Sequence, residues 1–270
     1  MTLLAIESSG RDVAVAIADD TGPLACMTVR SGRRHAELLH PLVEQVHEVT
    51  GVALASLDAV AVDVGPGLFT GIRVGMAAAK GFALALGIPV VPLTSLEILR
   101  SACQDISFAS VVPVVDLRRG EVAWQVPGGP MEHGSPDSLA RLLDSLEPPV
   151  LLAGDGALRY ESILTAGGPV AEGDGPAPQE LRRAAGAGRR LPGDGARPQG
   201  ARPARAVAGA ELGAPPVASL AVRAVAELQR GYAIDPRSVL PIYLRDADAR
   251  INWTTRHDAP ALDVAGAGAD

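Results

Sequence analysis

The spacing of apolar positions changes several times along the chain, and each change predicts an element. Leu3 to Ile6 is a short apolar run, and Asp12 to Ala18 alternates around Val13, Val15 and Ile17. Cys26 to Val29 adds a third strand signal, and three in succession predict an antiparallel meander. The period then lengthens. In RRHAELLHPLVEQVHEV, Leu39, Leu42, Val43 and Val46 recur at helical spacing. Pro41 lies inside that pattern and predicts a kink or break near His40. Ala59 to Val64 is apolar at nearly every position, as in a strand covered on both faces. Next comes VGPGLFTGIRVG, residues 64–75. Thr70 is the predicted N-cap of a helix ending near Leu86, with Gly87 as C-cap and Pro89 preventing continuation. Ile88 to Leu93 is the following strand and Ser95 to Cys103 the following helix.

Strand-strand-strand-helix-strand-helix-strand is the order of the ribonuclease-H-like half-domain, shared by sugar kinases, actin and heat-shock ATPases (the ASKHA fold). A second unit starts near Ser110. Val111 to Val115 and Val122 to Val126 flank Asp116-Leu117-Arg118-Arg119-Gly120-Glu121 as a hairpin. A short helix over Ser138 to Leu146 and a strand over Val150 to Ala153 follow. The expected fold class is α/β, with two subdomains whose mixed central sheets are flanked by helices. The first subdomain is set at 1–107 and a smaller one at 108–244, with a tail at 245–270. Within the second, Ala171 to Pro216 contains no Ile, Phe, Tyr, Trp or Met. Such a stretch buries too little apolar surface to offset the entropy of ordering, so an irregular segment is expected over 171–216. It is either a flexible insert or the product of a shifted reading frame in a GC-rich gene. A helical stripe of Ala218, Ala221, Val222, Val225 and Leu228 comes after it.

Composition narrows the chemistry. Of 270 residues 47% are hydrophobic but only 3% aromatic, so the core must be built from Ala, Val, Leu and Ile. A net charge of -7 disfavours direct RNA binding by this chain. Cys26 and Cys103 form neither a disulfide framework nor a metal motif. MTLLAIESSG lacks the basic start of a secretory signal, so a cytoplasmic location is expected. The apolar stretch from Val74 to Leu93 contains Lys80, Gly81, Gly87 and Pro89, and reads as helix, turn and strand rather than a membrane span.

Gly65 and Gly67, followed by a helix start, could cradle an anion or could simply form a tight strand-to-helix turn. No Gly-Lys-Ser/Thr follows, so the loop is not a P-loop. Glu7, Ser8 and Ser9 end the first strand, where a related fold would wrap a nucleotide's phosphates; an ordinary hairpin fits equally. His40, Glu44 and His47 lie within two helical turns, and a solvated polar face is favoured over a metal set. No nucleophile elbow, zincin motif or Cys-x-x-Cys is present.

LLAIESS, RRHAELLHPLVEQV, DAVAVDVGPGLFTGIRVGMAAAKGFALALGIPVVPLTSLE, VVDLRRGEVAW and PIYLRDADA together resemble the TsaB (YeaZ) family, over about residues 1–160 and 217–253. This is the dimerisation subunit of the bacterial machinery that makes threonylcarbamoyladenosine at position 37 of tRNAs reading ANN codons. Its catalytic paralogue TsaD carries a His-x-x-x-His metal motif after a related glycine block, and Ser95 and Leu99 stand there in this chain. The resemblance implies a non-catalytic scaffold, with no metal and no cofactor required by the chain itself. It implies a heterodimer with TsaD, contact with the ATPase TsaE and with tRNA only through that complex, and a homodimer in isolation. ATP or ADP would sit at the subunit interface or, weakly, against Glu7, Ser8, Ser9, Gly65 and Gly67. The implied partner-binding residues are His35, Leu39, Val43, Val46, Thr70, Ile72, Arg73, Met76 and Ala79. An ASKHA-type ATPase or small-molecule kinase built on Glu7 and the glycine loop is the alternative.

Overall fold

The computed structural model describes residues 1–32, 34–106, 108–166 and 205–244. Two five-stranded sheets share one plan. In the first, β1 (Thr2–Glu7), β2 (Asp12–Asp19) and β3 (Gly22–Arg30) form the meander, and β4 (Ala59–Asp63) and β5 (Val90–Leu93) run parallel beyond β1. The order is β3-β2-β1-β4-β5. In the second, β6 (Ser110–Arg118), β7 (Glu121–Gln125) and β8 (Met131–Gly134) are the meander, and β9 (Val150–Ala153) and β10 (Arg205–Val207) the parallel pair, giving β10-β9-β6-β7-β8. Parallel neighbours need crossovers. The first sheet has them in α1 (His35–Thr50) and α2 (Phe69–Leu86). After β5 comes α3 (Ser95–Ser101), and the second sheet carries α4 (Pro136–Leu143), α5 (Asp155–Arg159) and α6 (Glu161–Leu164).

Strand alternation divides the first sheet into two unlike faces. Leu4, Ile6, Val13, Val15, Ile17, Val60 and Val62 meet α1 and α2, while Leu3, Ala5, Ala14, Ala16, Ala18, Ala59 and Ala61 lie on the other side. The alanine face has little side-chain depth, so a helix can settle close to it. The helix that does so is α7 (Val217–Gln229), through Val217, Leu220, Ala221, Ala224 and Val225. This corrects the expected boundary, because residues 217–244 return to the first half instead of completing the second. Ile234 pairs with Val90, and Ile242 N donates to Val64 O at 2.8 Å.

Four further expectations need correction. Helix α1 runs unbroken through Pro41, which sits on its exposed side. Helix α2 begins at Phe69 with Leu68 as N-cap, so Thr70 lies inside its first turn and caps nothing. The expected irregular segment ends earlier than Pro216: Arg205, Ala206, Val207 and Ala208 are buried and β10 pairs with β9. The rest of that segment, 171–204, and the tail at 245–270 lie outside the described residues. Strand β8 was missed because MEHG shows no apolar alternation, and β10 because it is only three residues long. By length and composition α2 is apolar enough to cross a membrane. Its place as the crossover between two parallel strands identifies it instead as a helix packed on a sheet.

Candidate functional site

Two features converge where β1 and β4 end. The first is a sealed polar knot under the floor of the cleft between the halves. Glu7 Oε1 accepts from Ser9 N and Ser9 Oγ, both at 2.7 Å. Asp63 accepts from Gly65 N at 2.6 Å, and Ser95 Oγ lies 2.8 and 2.7 Å from its two oxygens. Burial drives the Glu7 carboxyl well above the ordinary carboxylate range, and the neighbouring Asp63 charge adds to it. Burial also raises Asp63, against the hydrogen bonds that favour its ionised form. Two carboxyls in contact away from water are stable when they share a proton. Asp63 was not singled out in the sequence, although an acid closing an all-apolar strand is a signal in itself.

The glycine block serves this packing. A Cβ on Gly71 would overlap Ser8 O, one on Gly75 would overlap Ser8 Oγ, and one on Gly67 would come within 2.6 Å of Ser9 O. Ser8 Oγ donates to Gly71 O at 2.9 Å, and Leu68 N donates to Ser9 O at 2.6 Å. The end of β1 therefore fills the hollow that the glycines open. Of the five residues expected to hold a nucleotide, Ser9 and Gly67 border the cleft. Glu7 and Ser8 are buried beneath it, and Gly65, at φ 98°, is occupied by Asp63 and Ser95 through its N–H and C=O. That set does not fit a phosphate cradle. Ser95 and Leu99 are fully buried. Among the described residues no group of three or more His, Cys, Asp or Glu is placed to hold a metal ion.

The second feature is the outer surface of α1 and α2. Leu39, Val43, Val46, Ile72, Met76 and Ala79 are no more than 5% exposed and form the core against the first sheet. His35 is also buried, with its ring near Gly10 O and Ser31 Oγ. These seven cannot present a surface, which corrects the sequence expectation. Thr70 and Arg73 of the same expected set are exposed. With them stand residues that were missed. Phe69 is 40% exposed, Leu84 47% and Val49 70%, and Ala77 and Gly81 lie between Arg73 and Leu84 on the same face. Arg73 stacks 3.7 Å above the Phe69 ring and its Nε donates to Tyr243 Oη at 2.8 Å, so the segment after α7 joins this surface. His40 stacks on Phe82 across the two helices and lies 3.5 Å from Glu44, while His47 Nδ1 is tied to Val52 O. The signal available in the sequence was that α2 carries charge only at Arg73 and Lys80 in eighteen residues, too few for a solvated outer face.

These features define an ASKHA-fold protein with a sealed strand-end floor and bared crossover helices. A family model described as TsaD: tRNA N6-adenosine threonylcarbamoyltransferase matches residues 29–147. The tRNA threonylcarbamoyladenosine biosynthesis protein TsaB of Bacillus subtilis is 30% identical over 174 residues, 61% of this chain and 75% of that one. The TsaB of Haemophilus influenzae is 32% identical over 123 residues, 45% of this chain, which spans about half of it at 52%. The structure of YeaZ from Pseudomonas aeruginosa superposes with a TM-score of 0.66 at 25% identity, covering 90% of this chain and 99% of that one. The chain belongs to the TsaB (YeaZ) family.

Proposed function

We propose that this chain is a non-catalytic scaffold subunit for threonylcarbamoylation of adenosine 37 in tRNA, working in the cytoplasm and docking TsaD through the outer faces of α1 and α2. The observation that carries the reading is the exposed row Thr70, Arg73, Ala77, Gly81 and Leu84, flanked by Phe69 and Tyr243. Small residues flanked by larger apolar ones let another helix approach and bury surface. TsaE and tRNA are reached through the complex, a homodimer forms in isolation, and ATP or ADP lies at the subunit interface. The lack of chemistry is supported by the sealed Glu7–Asp63 pair and by Ser95 and Leu99 at the metal-ligand positions of TsaD.

The test is co-purification with TsaD from the same organism. Leu84→Asp and Ala77→Asp should each lower the affinity at least tenfold while leaving the melting temperature within a few degrees. Val43→Asp and Met76→Asp would put a charge in the core and unfold the chain, so they cannot report on docking. Undiminished TsaD binding by folded Leu84→Asp and Ala77→Asp would overturn the docking face. Turnover of ATP by the purified chain alone would overturn the non-catalytic role.

A further inference from the structure

A groove of about 480 Å³ lies at the β5 edge of the first sheet, between α7 and the segment 232–242. Pro92, Ile234, Val239, Leu240 and Ile242 give it an apolar lining. Leu240, at 74%, is the most exposed large apolar side chain among the described residues, and Tyr232 beside it is 48% exposed. Glu97, Glu227 and Arg223 are the charged groups on its walls.

Two hydrogen-bonding groups at this groove are left over. Arg223 Nη2 is paired with Glu227 Oε1 at 2.6 Å, but its Nε is buried and has no partner among the described residues. A buried donor of that kind calls for an acceptor. The second group is on β5. Val60 N donates to Pro89 O and Val64 N to Leu93 O, so alternate residues of β5 face β4 while Val90 and Pro92 turn their backbone groups outward. Val90 exchanges both bonds with Ile234, at 3.0 and 2.9 Å. The carbonyl of Pro92 is next along the same edge, on the groove side. An extended segment laid here would supply a carbonyl for Arg223 and an N–H for Pro92.

We propose that the chain's own tail covers this groove, with Ile251 and Trp253 seated on Pro92, Ile234 and Leu240 and with Arg250 beside Glu97. The described chain ends at Leu244, two residues beyond Ile242 in the groove wall. Seven residues further on is Ile251, an extended reach of about 23 Å. Ile251 and Trp253 are two apart, so an extended backbone presents both on one face. Glu97 spends Oε2 on Thr94 N and Oγ1, and its charge complements Arg250. A tethered segment meets the groove at an effective concentration of about millimolar, which favours it over a second copy of the chain.

Fluorine NMR of the full chain labelled with 5-fluorotryptophan tests this, because the sequence holds two tryptophans, Trp124 and Trp253. Trp253→Phe assigns the signals. In the chain alone at low micromolar concentration, the Trp253 signal should be shifted from the free amino acid and insensitive to exchange of H₂O for D₂O. Leu240→Asp and Ile251→Asp should each return it to the free, solvent-sensitive position while the Trp124 signal stays put as the sign of an intact fold. A free Trp253 signal in the full chain would overturn the proposal. So would a shift that appears only on adding TsaD or only at high protein concentration, which would assign the tail to a partner or a second copy. An unchanged signal in both folded variants would place Trp253 elsewhere and overturn it equally. TsaD is absent from the main measurement, so this proposal and the docking reading fail separately.

Discussion

At the scale of single residues, Glu7 is the most consequential. It and Asp63 both hold protons more tightly in the folded chain than ordinary carboxyls do. The sign follows from linkage. A raised carboxyl contributes stability that is complete below the unfolded pKa, about 4.3 for Glu, and that is lost as pH rises through the folded value. Urea unfolding followed from pH 5 to 9 should therefore show stability falling toward alkaline pH. Glu7→Gln keeps an acceptor for Ser9 and supplies an N–H toward Asp63, so its profile should be flatter; an equally steep one would refute the shared proton. Two glycines in α2 make a second contrast. Gly71→Ala collides with Ser8 O and should cost about 1–3 kcal/mol. Gly81→Ala meets nothing within 4 Å and should stabilise by about 0.5–1 kcal/mol. Chemical denaturation of the pair checks both signs.

At the scale of elements, sequence patterning located α1 and α2 but assigned their faces wrongly. A helical stripe such as Leu39, Leu42, Val43 and Val46 announces burial without saying against what. Here it is the chain's own sheet, so the docking surface is the complementary face, legible only as missing charge. The same limit explains Asp63, whose partner Glu7 lies on a different strand. Strands β1, β4 and β9 were legible because continuous apolar runs leave few alternatives, and β2 because Val13, Val15 and Ile17 alternate. Strand β10 depends on tertiary context: Arg205 is 3% exposed at its side chain and pairs with Asp144, also donating to Leu164 O. Asp144→Ala would leave that guanidinium buried with one partner fewer, and should cost about 1–3 kcal/mol in a thermal or urea melt.

At the scale of the whole molecule, the duplicated sheet plan suggests two independent halves, yet α7 makes the first half depend on residues 217–229, which follow the second. Unfolding should be one cooperative transition. In a Trp253→Phe background, fluorescence of Trp124 in the second half and far-ultraviolet circular dichroism of the whole should give coincident curves; separated midpoints would show independent halves. The dependence on α7 also sets a schedule for synthesis. Strand β1 leaves the ribosome long before α7 does, and the helix that covers its alanine face is complete only at Gln229. At bacterial elongation rates that face stays bare for about ten to forty seconds on every nascent chain. A ribosome that slows before Val217 therefore holds out a half-covered sheet for longer, which makes the N-terminal half a client for chaperones in proportion to how slowly its own message is read.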